Sequence, residues 1–136
     1  MPLVKVHVLK GRSLEEIEEL LDAIHDAVVD SFGVPQRDRY QIVQEHDASH
    51  LRALDTGLGI ARTHKFLLLE ITSRPRPREA KVAFYSNLTR TLQARCDIAA
   101  SDVMVSLLTN SDEDWSFGLG KAQFLTGELR TSDHLQ

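Results

Sequence analysis

The chain has 136 residues, 42% hydrophobic and 26% charged, with a net charge of −4; these values suit one soluble globular domain over 1–136 and offer no basic surface for nucleic acid. No apolar run approaches the roughly 20 residues that span a bilayer, and the start lacks the charged-then-apolar layout of a secretory leader. The single cysteine, Cys96, excludes an internal disulfide and fits a reducing, cytoplasmic setting. Residues 3–8 alternate, with Leu3 and Lys5 on one face and Val4, Val6 and Val8 on the other, which predicts a strand. Gly11 breaks it. Ser13 followed by Glu15 and Glu16 reads as a helix N-cap with acidic residues in the first turn. Leu14, Ile17, Leu20, Leu21, Ile24, Ala27 and Val28 recur at helical spacing, and Gly33 takes the closing position that glycine favours.

Val34 and Pro35 open a turn, and a second strand is expected from Tyr40. Residues 47–64 read as a loop with a short extended segment. The near-continuous apolar run 66–71 predicts a strand buried on both faces. Residues 73–77, Ser-Arg-Pro-Arg-Pro, stop it. Ala80, Phe84, Leu88 and Leu92 mark a second amphipathic helix, 96–102 a turn, and 103–108 the last long strand. Cys96 falls at the end of that helix with no partner base nearby in sequence and reads as a packing residue. The histidines show no metal-ligand spacing: His46 and His50 flank Asp47, Ala48 and Ser49, which look like loop, so no metal site is expected.

At a shift of about 64 residues the first strand falls on 66–71, Gly11 and Arg12 on Pro75 and Arg76, and 34–38 on 98–102. Each half, about residues 2–46 and 65–110, reads strand, helix, strand. A crossover helix implies a parallel strand pair. The predicted fold is therefore α/β (α+β): duplicated β-α-β units in one four-stranded mixed sheet, both helices on one face, with a C-terminal tail 111–136 expected as a short hairpin. The other sheet face would be bare, and symmetric self-association would cover it.

Three features carry chemistry. Pro2 reads either as an ordinary strand-start proline or, once Met1 is removed, as a free secondary amine able to act as base, acid or nucleophile near neutral pH. Arg74 and Arg76 alternate with Pro75 and Pro77, whose rings stiffen the backbone. The two guanidiniums should point the same way and hold an anion, a carboxylate by preference. The competing reading is a solvated basic turn paired with Glu79 or Glu70. Asp38 leaves a proline turn toward the same end, or serves as a turn cap. Asp112, Glu113 and Asp114 form either a solvated acidic turn or a source of a water-activating carboxylate.

Taken together, MPLVKV, VPQRDRYQ, DTGLG, SRPRP and DWSFGLGKAQFLTGEL resemble the tautomerase superfamily and, within it, the malonate semialdehyde decarboxylase family. The likeness runs from residue 2 to about residue 129 and is weakest in the loop 46–53 and at the polar tail 130–136. The resemblance implies a duplicated β-α-β scaffold, a homotrimer, and catalysis without cofactor or metal. It makes Pro2 and Asp38 catalytic, Arg74 and Arg76 the substrate-binding pair, and Trp115, Phe117, Phe124 and Leu129 the apolar wall. The implied reaction is loss of CO2 from a small 3-oxo acid, malonate semialdehyde, to give acetaldehyde. Hydration or dehalogenation of unsaturated or 3-halo acids, and keto–enol tautomerisation, are the alternatives, and an oligomeric binding module with an inert proline is the non-enzymatic one. A protonated Pro2 polarising the substrate carbonyl, with Asp38 as its counter-charge, is the favoured route, and attack of a neutral Pro2 on the aldehyde to form an iminium is the alternative.

Overall fold

The computed structural model describes residues 1–129; the tail 130–136 lies outside the described residues. Strand β1 (Leu3–Leu9) is followed by helix α1 (Leu14–Phe32) and strand β2 (Tyr40–His46); strand β3 (Leu67–Ser73), helix α2 (Arg78–Cys96) and strand β4 (Val103–Thr109) repeat the pattern. One sheet results, in the order β2-β1-β3-β4. The outer pairs β1/β2 and β3/β4 are parallel, as crossover helices require, and β1 meets β3 antiparallel, Val6 opposite Leu69. The duplication is thus a physical one: two parallel units joined back to back through their first strands.

The period-two pattern decides which face is covered. Val4, Val6 and Val8 on β1 and Leu67, Leu69 and Ile71 on β3 point into one core with Leu20, Ile24 and Val28 of α1 and Phe84, Leu88 and Leu92 of α2. Burying one such side chain stabilises by about 1.5–3 kcal/mol. At the start of α1, Ser13 Oγ accepts from Glu16 N at 3.1 Å, and Glu16 Oε1 accepts from Ser13 N at 3.0 Å. Two of the first-turn donors are satisfied by this capping box. Gly33 ends α1 at φ 65°, its N–H donating to Val29 O; the left-handed region makes a Cβ costly there.

Two expectations change. Strand β3 was expected to be buried on both faces, yet Glu70 is exposed, because both helices lie on the opposite side. On that uncovered face Glu70 Oε1 meets His7 Nε2 at 2.6 Å, and His7 Nδ1 meets His46 Nε2 at 2.9 Å. Residues 47–64 form the expected loop and contain no strand. That loop is strapped down by side chains instead: Arg62 Nη1 donates to Ser101 O at 2.6 Å, and buried Asp102 accepts from Thr63 N at 2.7 Å. The tail forms no hairpin among the described residues. It makes a 3-10 turn (Asp112–Asp114) and a single-turn helix α3 (Gln123–Thr126), because Gln123 satisfies the backbone that a partner strand would have paired: its Oε1 accepts from Phe117 N at 2.9 Å and its Nε2 donates to Gly118 O at 2.8 Å. No helix among the described residues is long and apolar enough to cross a membrane.

Candidate active site

The Ser-Arg-Pro-Arg-Pro segment leaves β3 with its side chains sorted by alternation. Pro75 and Pro77 are exposed, whereas Arg74 and Arg76 are 6% and 8% exposed. Two buried guanidiniums are unusual enough to need partners. Arg74 Nε donates to Asp112 Oδ1 at 2.6 Å, and its guanidinium lies 4.2 Å from the Phe124 ring centroid. Arg76 Nε donates to Ser73 Oγ at 3.1 Å and its Nη1 to Phe32 O at 3.3 Å, with the Phe32 ring 5.2 Å away. The solvated-turn reading therefore falls: Glu70 is engaged with His7, and the acid that Arg74 takes lies on the tail. Arg74 Nη1 is buried and makes no hydrogen bond among the described residues.

The N-terminus comes to the same place. Because β1 and β3 are antiparallel, with Leu3 opposite Thr72, the residues before β1 lie beside those after β3. Met1 and Pro2 are both buried, and the Met1 amine stands 3.9 Å from Asp38 Oδ2. Asp38 reaches it from the turn before β2, where its N–H donates to Pro35 O at 3.0 Å. Burial first, then Arg76 and Arg74, press the Met1 amine down from 8.0 to about 5, against the opposing pull of Asp38 and Asp112. Burial, then the neighbouring Arg74, also lowers the Arg76 guanidinium. For the Met1 amine, the loss of water and the cations thus outweigh the carboxylates.

A cavity of about 330 Å³ reaches Met1 and Asp38 and is lined besides by Pro35, Arg37, Tyr40, Phe117, Gln123, Glu128 and Leu129; Pro2, Arg74 and Arg76 do not line it. Of the residues expected as an apolar wall, Phe117 and Leu129 face it directly. Phe124 packs edge-on to Phe117 at 5.5 Å and beneath Arg74. Trp115 stands behind them, stacked on Phe117 at 5.6 Å, its indole N–H donating to Asn110 Oδ1 at 2.8 Å. The structure thus brings Asp38, Phe117 and Leu129 to one cavity, with Phe124 between Phe117 and Arg74 and Trp115 stacked behind Phe117; Arg76 is buried beside Ser73 and Phe32, and Pro2 is buried after Met1.

Sequence reasoning missed Tyr40, which stacks on Phe117 at 5.9 Å, and the clamping roles of Ser73 and Gln123. Tyr40 had a signal: it sits at the first position of a strand that starts beside Asp38. Asp112 was weighed only as an acidic turn or a water activator, and its pairing with Arg74 across the fold had no local trace. Among the neighbouring acids, Asp114 caps its own turn by accepting from Ser111 N at 2.8 Å and Ser111 Oγ at 2.9 Å. Cys96, at the far end of the helices, is half-buried against the core, and burial pushes its thiol up.

Two family models described as tautomerase enzyme match the chain, one over residues 38–118 and one over 2–59. The probable tautomerase YrdN of Bacillus subtilis (strain 168) is 49% identical over 129 residues, covering 95% of this chain and 100% of that protein. Among solved structures, malonate semialdehyde decarboxylase, studied as wild-type, mutant and inactivated enzyme for its decarboxylase and hydratase activities, superposes with a TM-score of 0.93 at 50% identity, covering 94% of this chain and 99% of its own. A fused 4-OT symmetric trimer superposes at 0.74 with 27% identity, covering 92% of this chain and 98% of its own.

Proposed function

The chain belongs to the tautomerase superfamily, and from that premise we propose that it decarboxylates a small 3-oxo acid, malonate semialdehyde, with Pro2 as its N-terminal catalytic amine. The observation that carries this reading is the pair of buried guanidiniums, Arg74 and Arg76, beside the N-terminal amine and Asp38. The likeness to malonate semialdehyde decarboxylase over nearly the whole chain supports it. Removal of Met1, which a following proline permits, makes Pro2 the amine and clears the buried side chain that separates it from the cavity.

The arginines hold the substrate carboxylate so that its bond to the adjacent carbon stands perpendicular to the carbonyl plane. Such orientation contributes on the order of 7 kcal/mol. The carbonyl is the electron sink. A protonated Pro2 donates to the carbonyl oxygen, the carbon–carbon bond breaks, CO2 leaves, and the electron pair passes into an enol; carbon then collects one proton from solvent while the enol O–H proton returns to Pro2, giving acetaldehyde. Phe117, Phe124 and Leu129, backed by Trp115, keep the site poor in water, which favours the charge-dispersed transition state. The chain acts as a homotrimer, a reading supported by the trimeric fused 4-OT structure and by the uncovered sheet face.

The test is direct. Purified protein, its N-terminus assigned by intact mass, is given 3-oxopropanoate while CO2 and acetaldehyde are followed beside Pro2→Ala. Turnover by the wild type and its near-complete loss in the variant are expected; equal rates sink the proposal. A second reading, tautomerisation or hydration, is favoured by the naming of the relative as a probable tautomerase and by the hydratase activity of the decarboxylase neighbour. Ketonisation of an enol acid or hydration of an acetylenic 2-oxo acid, without CO2 release from 3-oxopropanoate, would move the assignment there.

A further inference from the structure

One buried titratable side chain has no part in the chemistry proposed above. His25 is 4% exposed and shares the buried face of α1 with Leu20, Ile24 and Val28. A polar ring in such a run costs stability unless it is bonded. Its Nε2 lies 2.7 Å from Gln36 O. A carbonyl only accepts, so Nε2 carries the hydrogen and donates. Gln36 belongs to the turn that leads to Asp38, which Asp38 N closes by donating to Pro35 O at 3.0 Å. Two neighbours of His25 on α1 tie down the far side of the same turn: Leu21 O accepts from Gln41 Nε2 and Asp22 Oδ1 from Arg39 Nη2, both at 2.8 Å.

The duplication supplies an internal control. The shift that lays Leu14–Phe32 on Arg78–Cys96 also lays Pro35 on Ala99 and Asp38 on Asp102. The second turn closes in the same way, Asp102 N donating to Ala99 O at 2.9 Å. The place of His25 is taken there by Thr89, whose hydroxyl turns back to Tyr85 O and Ser86 O of its own helix. The turn therefore forms without a histidine, and what differs is the carboxylate. Asp102 is placed by its side chain, which accepts from Thr63 N and Thr63 Oγ1. The Asp38 carboxylate instead stands 3.9 Å from the N-terminal amine. Resting on the reading of Asp38 as a catalytic counter-charge, we propose that His25 is a positioning residue: its Nε2–H holds the Gln36 carbonyl so that the Asp38 carboxylate stands at the N-terminal amine. A carboxylate that serves the amine is best placed through its backbone, and the histidine occurs in the half that carries the site. Coulomb attraction falls with distance, and a misplacement of about 1 Å costs up to about 100-fold in rate.

Two substitutions of equal length test this. His25→Gln keeps an N–H donor at a similar reach, and His25→Met has none. With 3-oxopropanoate, His25→Met is expected to lower kcat by about tenfold with KM changed by no more than about twofold, and His25→Gln to recover most of the loss. In an Asp38→Asn background, His25→Met is expected to cost no more than about a further twofold, because both changes act on one carboxylate. Nitrogen NMR gives a reading that needs no turnover: in the Met1-bearing chain, His25→Met is expected to move the amine midpoint downward, the direction expected of Asp38→Asn. Losses that multiply with Asp38→Asn, a glutamine variant as slow as the methionine one, or an unmoved midpoint overturn the role. So does unfolding of His25→Met, since the turn at Asp102 forms without such a bond. A wild type that leaves 3-oxopropanoate untouched sinks the decarboxylase reading instead, and the amine midpoint then decides the positioning role alone.

Discussion

A guanidinium fork and an ammonium differ in shape more than in charge, and that difference decides what Arg74 and Arg76 contribute. Each is held through Nε by a neighbour, Asp112 or Ser73, a bond that lysine has no atom to make in the same place. Arg74→Lys and Arg76→Lys are each expected to lower kcat/KM by about 100-fold, near 2.7 kcal/mol, while circular dichroism and melting temperature stay close to wild type. Wild-type rates in both would count against the clamp. The Met1 amine offers a second residue-scale check. Nitrogen NMR of the Met1-bearing chain should show it titrating near pH 5 rather than near 8.0. Asp38→Asn should lower that midpoint further, since Asp38 raises it, and Arg76→Ala should raise it. Because the folded amine releases a proton that the unfolded one keeps, this group makes stability rise with pH between about 5 and 8.

Elements position these residues by simple local rules. The capping box starts α1, and the tight left-handed turn at Gly33 releases the chain toward Pro35 and Asp38. Ser13→Ala should cost about 1 kcal/mol, read as a lower urea midpoint with kcat unchanged, since Ser13 lies at the opposite end of α1 from the site. The arginine segment works by alternation: prolines outward, arginines inward, then Pro77 as the first cap of α2. The tail behaves differently. It has little regular structure, and Gln123, Phe117 and Phe124 hold it against the site through one side-chain network. Gln123→Ala should loosen Phe117, raising KM several-fold with a smaller change in melting temperature; an unchanged KM would show that the network is dispensable for binding.

At the scale of the molecule, one sheet face is covered by helices and the other is not. Val43 and Val105 pack toward the core, so Ile42 and Met104 point away from it, at 45% and 42% exposed. The same face carries the His46–His7–Glu70 chain of hydrogen bonds. In the proposed trimer this face meets other copies. Ile42→Glu is therefore expected to shift the sedimentation coefficient toward that of a monomer by more than any substitution on the exposed side of α2, such as Val82→Glu. Identical sedimentation of the two variants would place the contact elsewhere.

The element order, the duplication and the placing of both helices on one face of the sheet were legible in the residues alone. They rest on short-range physics: apolar periodicity, capping chemistry and the stiffness that proline imposes on its neighbours. The tautomerase-like scaffold was legible because MPLVKV, VPQRDRYQ, DTGLG, SRPRP and DWSFGLGKAQFLTGEL together resemble that superfamily and two similar halves each read strand, helix, strand. Tertiary structure alone decided the rest. That Arg74 pairs with Asp112 rather than Glu70, that the tail folds as turns around Gln123 rather than as a hairpin, and that the Met1 amine is pressed down despite Asp38 all depend on distances across the fold and on how much water is excluded. Charges compensate through space, and no spacing along the chain encodes the depth at which they meet.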